Sequence, residues 1–196
     1  MGRTSLKVQR QREIIVAFYR VAKKTGLENA SIAKVADYMD INPSLIVHYF
    51  KTREALLEGL VKFTLEQYKD IYKINGDEYR SPNDVIKLLD NLYSRKWNRL
   101  FDDGVFYSCY ALTYRNPKLK HSFKSLHDSL RNLLVDALRR ARKNGVVRIR
   151  DEKETGAIIF ALMEGAYYYL GMVGSSRERD RQMNILKKQA IVLLGL

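Results

Sequence analysis

One cysteine, three histidines and three prolines in 196 residues remove several classes of protein at once. A single thiol forms no disulfide framework and no zinc site built on cysteines. His121 and His127 stand six apart, on different faces of a helix, so no metal pair is expected there, and neither a metal nor a cofactor is predicted. No apolar leader follows Met1, which argues against a secretory signal and for the cytoplasm. There are no paired inward carboxylates, no His-x-x-Glu pattern and no glycine-rich phosphate loop, so an enzyme is not expected. Repeats, low-complexity tracts and alternating strand-like runs are also missing.

What is present is an ordinary globular composition, 46% hydrophobic and 29% charged, with enough length for a real core. The formal charge of +13 favours a polyanionic partner, nucleic acid first and an anionic membrane surface second. The excess is uneven: +4 over residues 1–60, +9 over 61–150 and zero over 151–196. Two stretches carry bases and no acid, the N-terminal arm (Arg3, Lys7, Arg10, Arg12) and the run Arg139–Arg150. Arg3 and Lys7 of the arm read as a minor-groove contact or as a solvated tail. The run reads most simply as a solvated helix end, where cations suit the macrodipole.

The punctuation predicts an all-α chain of about nine helices. Gln9–Lys24 places Ile14, Ile15, Phe18, Val21 and Ala22 at helical spacing, and Gly26 stops it. Ser31 caps a short helix through Met39. All three prolines follow a capping residue: Asn42-Pro43, Ser81-Pro82 and Asn116-Pro117. Proline costs nothing at a first helical position, where its missing N–H has no partner anyway. Thr52 caps a helix running to about Ile74, Ser81-Pro82 leads Val85–Leu100, and a short helix carries Phe106–Tyr114. Asp151-x-x-Glu154 and Ser175-x-x-Glu178 open the last two helices as capping boxes.

The segment Ser31–Phe50, SIAKVADYMDINPSLIVHYF, reads as short helix, tight turn, short helix. Ile32, Val35 and Ala36 supply a packing face, Ile41 fills the turn, and Ile46, Tyr49 and Phe50 anchor the second helix. Pro43, Ser44, Leu45 and His48 are left on its outer side, the arrangement of a helix-turn-helix. With flanking helices on both sides, this stretch resembles the TetR family of one-component transcriptional regulators, from about Gln9 to Val61. Val35-Ala36, Ile41, His48-Tyr49-Phe50 and Thr52-Arg53-Glu54-Ala55-Leu56-Leu57 carry the resemblance. Ala30-Ser31-Ile32-Ala33 with His48-Tyr49-Phe50 is most like the choline-responsive, BetI-like betaine-gene repressors. Ser44 stands where the family usually has glycine, Val47 where it often has a phosphate-touching tyrosine, and Arg53 where lysine is common.

The resemblance implies a DNA-binding domain over 1–51 and a helical regulatory domain over 52–196. It implies a homodimer through the last two helices, a two-fold symmetric duplex operator and release by a small-molecule effector. The expected DNA-binding residues are Ser31, Asn42, Pro43, Ser44, Leu45, His48, Tyr49, Thr52 and Arg53. Ser44 and Leu45 are candidates for base edges, and His48 for phosphate or a base edge. Tyr49 gives its hydroxyl to phosphate or simply packs. Thr52 caps a helix, binds phosphate, or does both.

Beyond the reader, Gly156–Gly174 is almost continuously apolar, with Glu164 its only charge. Three consecutive tyrosines and an amphipathic neighbour, Arg177–Leu194, make it a covered dimer helix rather than a membrane span. Rings at Tyr93, Trp97, Tyr107, Tyr110, Tyr114 and Tyr168 are the candidate effector-binding set, suited to a flat amphiphilic or cationic molecule; the competing reading is ordinary core. Glu164 reads as a counter-charge for such a cation or as a surface residue, and Cys109 as a small core residue. The remaining functional alternative is a helical ligand- or partner-binding protein whose DNA reader is silent.

Overall fold

The computed structural model describes residues 3–73 and 78–196, without the side chains at positions 3–5 and 98. The predicted Arg3 contact therefore lies outside the described side chains. Ten α-helices follow one another: α1 Arg3–Thr25, α2 Ile32–Met39, α3 Pro43–Tyr49, α4 Arg53–Tyr68, α5 Pro82–Leu92, α6 Lys96–Leu100, α7 Asp103–Leu112, α8 Pro117–Lys143, α9 Glu152–Leu170 and α10 Ser176–Leu193. A 3-10 turn, Lys69–Tyr72, follows α4, and no strand occurs among the described residues. The expected all-α fold of about nine helices is thus present. The segment expected as one helix over Val85–Leu100 is two, α5 and α6.

The chain forms two compact units, Met1–Gln67 with Phe101–His127, and Tyr68–Leu100 with Asp128–Leu196. In the first, Ile14, Phe18, Val21 and Ala22 of α1 are buried together with Val35, Ala36, Ile46, Leu56 and Leu60. Each turn here has a chemical cause. Gly26 takes φ +84°, a left-handed stop that a side chain resists. Ser31 caps α2 by accepting from the Lys34 N–H at 3.2 Å. Asp40 closes that helix in the left-handed region, and Ile41 N–H reaches back to the Ala36 carbonyl at 3.1 Å. Asn42 Oδ1 then accepts from Ser44 N–H at 2.9 Å, with Pro43 first in α3. Seven residues are too few for a helix to persist alone. Packing of Ile46 and Phe50 holds α3 in place. Tyr19 stacks on Phe101 at 4.5 Å and its hydroxyl accepts from Asp102 N–H, fixing the start of α7 in the same unit.

In the second unit, Ser81 and Asp84 form the reciprocal box that opens α5: Asp84 Oδ2 accepts from Ser81 N–H at 3.0 Å and from its hydroxyl at 2.8 Å. The helix stops after Leu92 although neither glycine nor proline stands there. The Leu92 carbonyl accepts instead from Trp97 Nε1 at 2.9 Å and from the Tyr167 hydroxyl at 2.8 Å. Gly156 lets α9 approach α8 closely, since a Cβ there would lie 2.8 Å from Val135 Cγ2. Asp151 Oδ1 caps α9 through Lys153 and Glu154 N–H, and Ser175 caps α10 through Glu178 N–H. The Arg148 N–H donates to the Leu194 carbonyl at 2.9 Å and anchors the chain end.

Candidate nucleic-acid interface and ligand cleft

Helix α3 has one buried residue, Ile46, while Asn42, Pro43, Ser44, Val47 and His48 are exposed and Leu45 and Tyr49 half-buried. A short helix anchored by one aliphatic side chain and otherwise open along its length can enter a DNA groove without unfolding anything else. The His48 ring stands edge-on to Tyr49 at 5.1 Å, which gives the imidazole a defined position on the outer face. Ser31 and Asn42 both cap helices through their side-chain oxygens. Both residues are exposed, beside the first turns of α2 and α3.

Thr52 Oγ1 accepts from Ala55 N–H at 3.2 Å, so it caps α4, and its exposed hydroxyl can still donate to an anion. Arg53 is differently employed. Its Nη2 donates to the Leu27 carbonyl at 2.7 Å in a half-buried setting, tying the start of α4 to the link between α1 and α2. Residue type and spacing gave no sign of that brace. Two exposed lysines that motif reasoning passed over flank the reader, Lys34 in the first turn of α2 and Lys51 between α3 and α4. Their signal was available: each is a base beside a capped helix N-terminus.

The aromatic positions divide between the units. Tyr107, Tyr110 and Tyr114 belong to the first, where Tyr110 and Tyr114 are exposed with hydroxyls 3.4 Å apart. Tyr93 and Trp97 belong to the second and are buried; Tyr93 donates to the Ile159 carbonyl, and burial raises its phenol pKa. Tyr168 is 64% exposed, and it is Tyr167 that turns inward, its ring 5.7 Å from Trp97. A cleft of about 320 Å³ opens beside this cluster, between the end of α5, α9 and α10. Tyr93, Tyr167, Leu170 and Met183 form its apolar wall. Glu164 is half-buried beside Tyr72, whose phenol pKa is raised by burial and further by that charge.

Cys109 is buried and free. Burial pushes its thiol up to about 12 against a small opposing pull from Arg53, so it stays protonated as a core residue. Among the described residues no group of three or more His, Cys, Asp or Glu is placed to hold a metal, and no helix is long and apolar enough to cross a membrane. In the basic run, Arg139 and Arg142 are paired with Glu152, at 3.4 and 2.8 Å.

Comparison with known proteins matches two family models to the chain. Residues 14–60 match the model of bacterial regulatory proteins of the tetR family, and residues 80–196 match a tetracyclin repressor-like C-terminal domain. A curated relative, the HTH-type transcriptional regulator BetI of Klebsiella pneumoniae (strain 342), is 29% identical over 70 residues. That match takes in 36% of each chain, so it spans little more than a third of the relative. Among solved structures, a TetR transcription regulator from Haloarcula marismortui superposes with a TM-score of 0.78 at 17% identity, over 96% of this chain and 97% of that one. A Saccharomonospora viridis protein in complex with choline gives 0.67 at 19% identity, over 92% and 96%. These two show the fold; the family rests on the matched models, the second of which spans more than half of the sequence. With a helix-turn-helix that matches one model and a helical remainder that matches the other, the chain belongs to the TetR family of bacterial transcriptional regulators.

Proposed function

We propose that the protein is a homodimeric repressor that reads a two-fold symmetric operator and is released from it by a small-molecule effector. The carrying observation is the exposure of α3: a single buried anchor, with Pro43, Ser44 and His48 open to solvent. Two such helices, one from each protomer, enter successive major grooves about 34–36 Å apart. Ser44, Leu45 and His48 face base edges; Ser31, Asn42, Tyr49, Thr52 and Arg53, with Lys34 and Lys51, hold the backbone. The reader comprises residues 1–51 and the regulatory part 52–196.

The dimer reading is supported by large apolar side chains left open on the last two helices. Ile158, Tyr168 and Tyr169 of α9 are 43–64% exposed, and Ile185 and Val192 of α10 are 50% and 68% exposed. Helix faces of this kind from two protomers make a four-helix interface of self-complementary type. The effector site is the cleft walled by Tyr93 and Tyr167, with Trp97 behind it. An effector acts by favouring a protomer arrangement whose readers no longer match the operator spacing.

The test is selection of bound duplexes from a random pool with the full chain, then titration of the selected duplex against salt. A two-fold symmetric motif whose affinity falls steeply with salt is the expected result. Recovery of no motif overturns the reading.

A further inference from the structure

The cleft that is taken above as the effector site has a charge opposite to the one its aromatic rings suggest. Three arginines line it: Arg95 from the link between α5 and α6, Arg99 from α6 and Arg179 from α10. One acid lines it, Asp180, and that acid is already committed. Asp180 Oδ1 and Oδ2 accept from Arg95 Nε at 3.0 Å and Nη2 at 2.8 Å, a two-pronged pair that consumes both charges. Arg95 Nη2 also donates to the Ser176 carbonyl.

The other two cations are unspent. Among the described residues Arg99 has no ion-pair partner and is exposed at the rim. Arg179 donates from Nη2 to the Val173 carbonyl at 2.9 Å, but its Nε is shielded from solvent and has no hydrogen-bond partner among the described residues. A buried guanidinium N–H without an acceptor is costly, and a ligand oxygen is the group that removes that cost. The opposite wall supplies apolar surface, from Tyr93, Leu170 and Met183, all buried, and the half-buried Tyr167 ring. At about 320 Å³ the cleft sits at the small end of ligand sites, roughly 300–1,000 Å³.

We propose that this cleft binds a small organic anion, a monocarboxylate with a flat apolar body, whose carboxylate lies between Arg99 and Arg179 while its body rests on Tyr93 and Tyr167. A guanidinium presents planar paired donors that match a carboxylate, so two of them select an acid over the amide of the same shape. They repel an ammonium group. The cleft is separate from the exposed dimer stripe, because Asp180 and Lys187 turn their side of α10 toward α5, pairing with Arg95 and Asp90.

Trp97, the chain's one tryptophan, reports on this cleft directly through its contact with Tyr167. The experiment titrates the full chain with phenylacetate, phenylacetamide and phenethylammonium, three probes of one body and three head groups. It follows tryptophan fluorescence and the heat of binding. Phenylacetate is expected to bind at least roughly tenfold more tightly than the amide, and the ammonium not at all. Arg99→Gln, at an exposed position with no ion-pair partner among the described residues, weakens phenylacetate about tenfold. Arg150→Gln, the same loss of charge outside the cleft, leaves it unchanged. Equal binding of acid and amide, preference for the ammonium, no binding of any probe, or an Arg99→Gln variant that binds phenylacetate as well as the parent overturns the proposal. A parallel titration of the DNA complex separates this claim from the effector reading. Arg99-dependent phenylacetate binding that leaves DNA affinity unchanged supports the anion site and refutes only its regulatory role.

Discussion

Arg53 Nη2 lies 2.7 Å from the carbonyl oxygen of Leu27, joining the first turn of α4 to the link between α1 and α2. The two residues stand 26 apart in sequence, yet this bond closes the three-helix reader on the helix behind it. A guanidinium held in this way presents its remaining donors in a fixed direction, so the brace and a phosphate contact are compatible in one side chain.

Arg53→Ala is expected to destabilise the reader by about 1–3 kcal/mol, because the carbonyl of the buried Leu27 loses a charged donor. Urea unfolding of the full chain measures it. DNA affinity falls further than stability alone accounts for if Arg53 also meets phosphate, which binding under conditions where the variant is fully folded determines.

His48→Ala is expected to do the reverse. The imidazole is exposed and its one described ring contact is Tyr49, so the melting temperature stays close to the parent's. Affinity for the selected duplex drops roughly tenfold, as loss of a single good groove contact does. An unchanged affinity removes His48 from the interface.

Val192→Glu places a charge on the exposed stripe of α10 without disturbing the buried Ala190 and Leu194 on its inner side. Sedimentation is expected to show monomers with unchanged helicity. Affinity for the two-fold site falls by roughly tenfold or more, since linked half-site binding is lost. A variant that remains dimeric places the interface elsewhere.

The cap of α5 carries a pH dependence. Hydrogen bonds from Ser81, first its side chain and then its N–H, hold the Asp84 carboxyl below its ordinary value. The stabilisation is therefore fully present above the unfolded-state pKa of about 4 and is lost as pH falls through the lower folded value. Asp84→Asn is expected to be less stable than the parent at neutral pH, with the gap closing on acidification. A gap that is constant with pH contradicts this role.

The sequence made the helix starts legible because caps are local: Ser31, Asn42-Pro43, Ser81-Pro82 and Ser175-x-x-Glu178 each bond within three residues of themselves. The outer face of α3 was legible for the same reason, as a short period interrupted by one buried aliphatic residue. The break after Leu92 was not. There the Leu92 carbonyl is shared by Trp97 Nε1, five residues on, and by the Tyr167 hydroxyl, 75 positions later. Nor could spacing tell Tyr167 from Tyr168, adjacent residues that α9 turns to opposite fates. The cleft's arginines are likewise assembled from α6 and α10, so the aromatic residues that drew attention along the chain gave only its apolar wall.

The most direct test of the account lengthens the spacer of the selected operator. Two α3 helices held by one dimer must meet two half-sites on one face of the duplex, one helical turn of about 10–10.5 base pairs apart. Inserting about five base pairs, half a turn, between the half-sites is expected to reduce the affinity of this chain to that of a single half-site. Affinity that does not depend on the spacer contradicts a dimer reading two grooves at once.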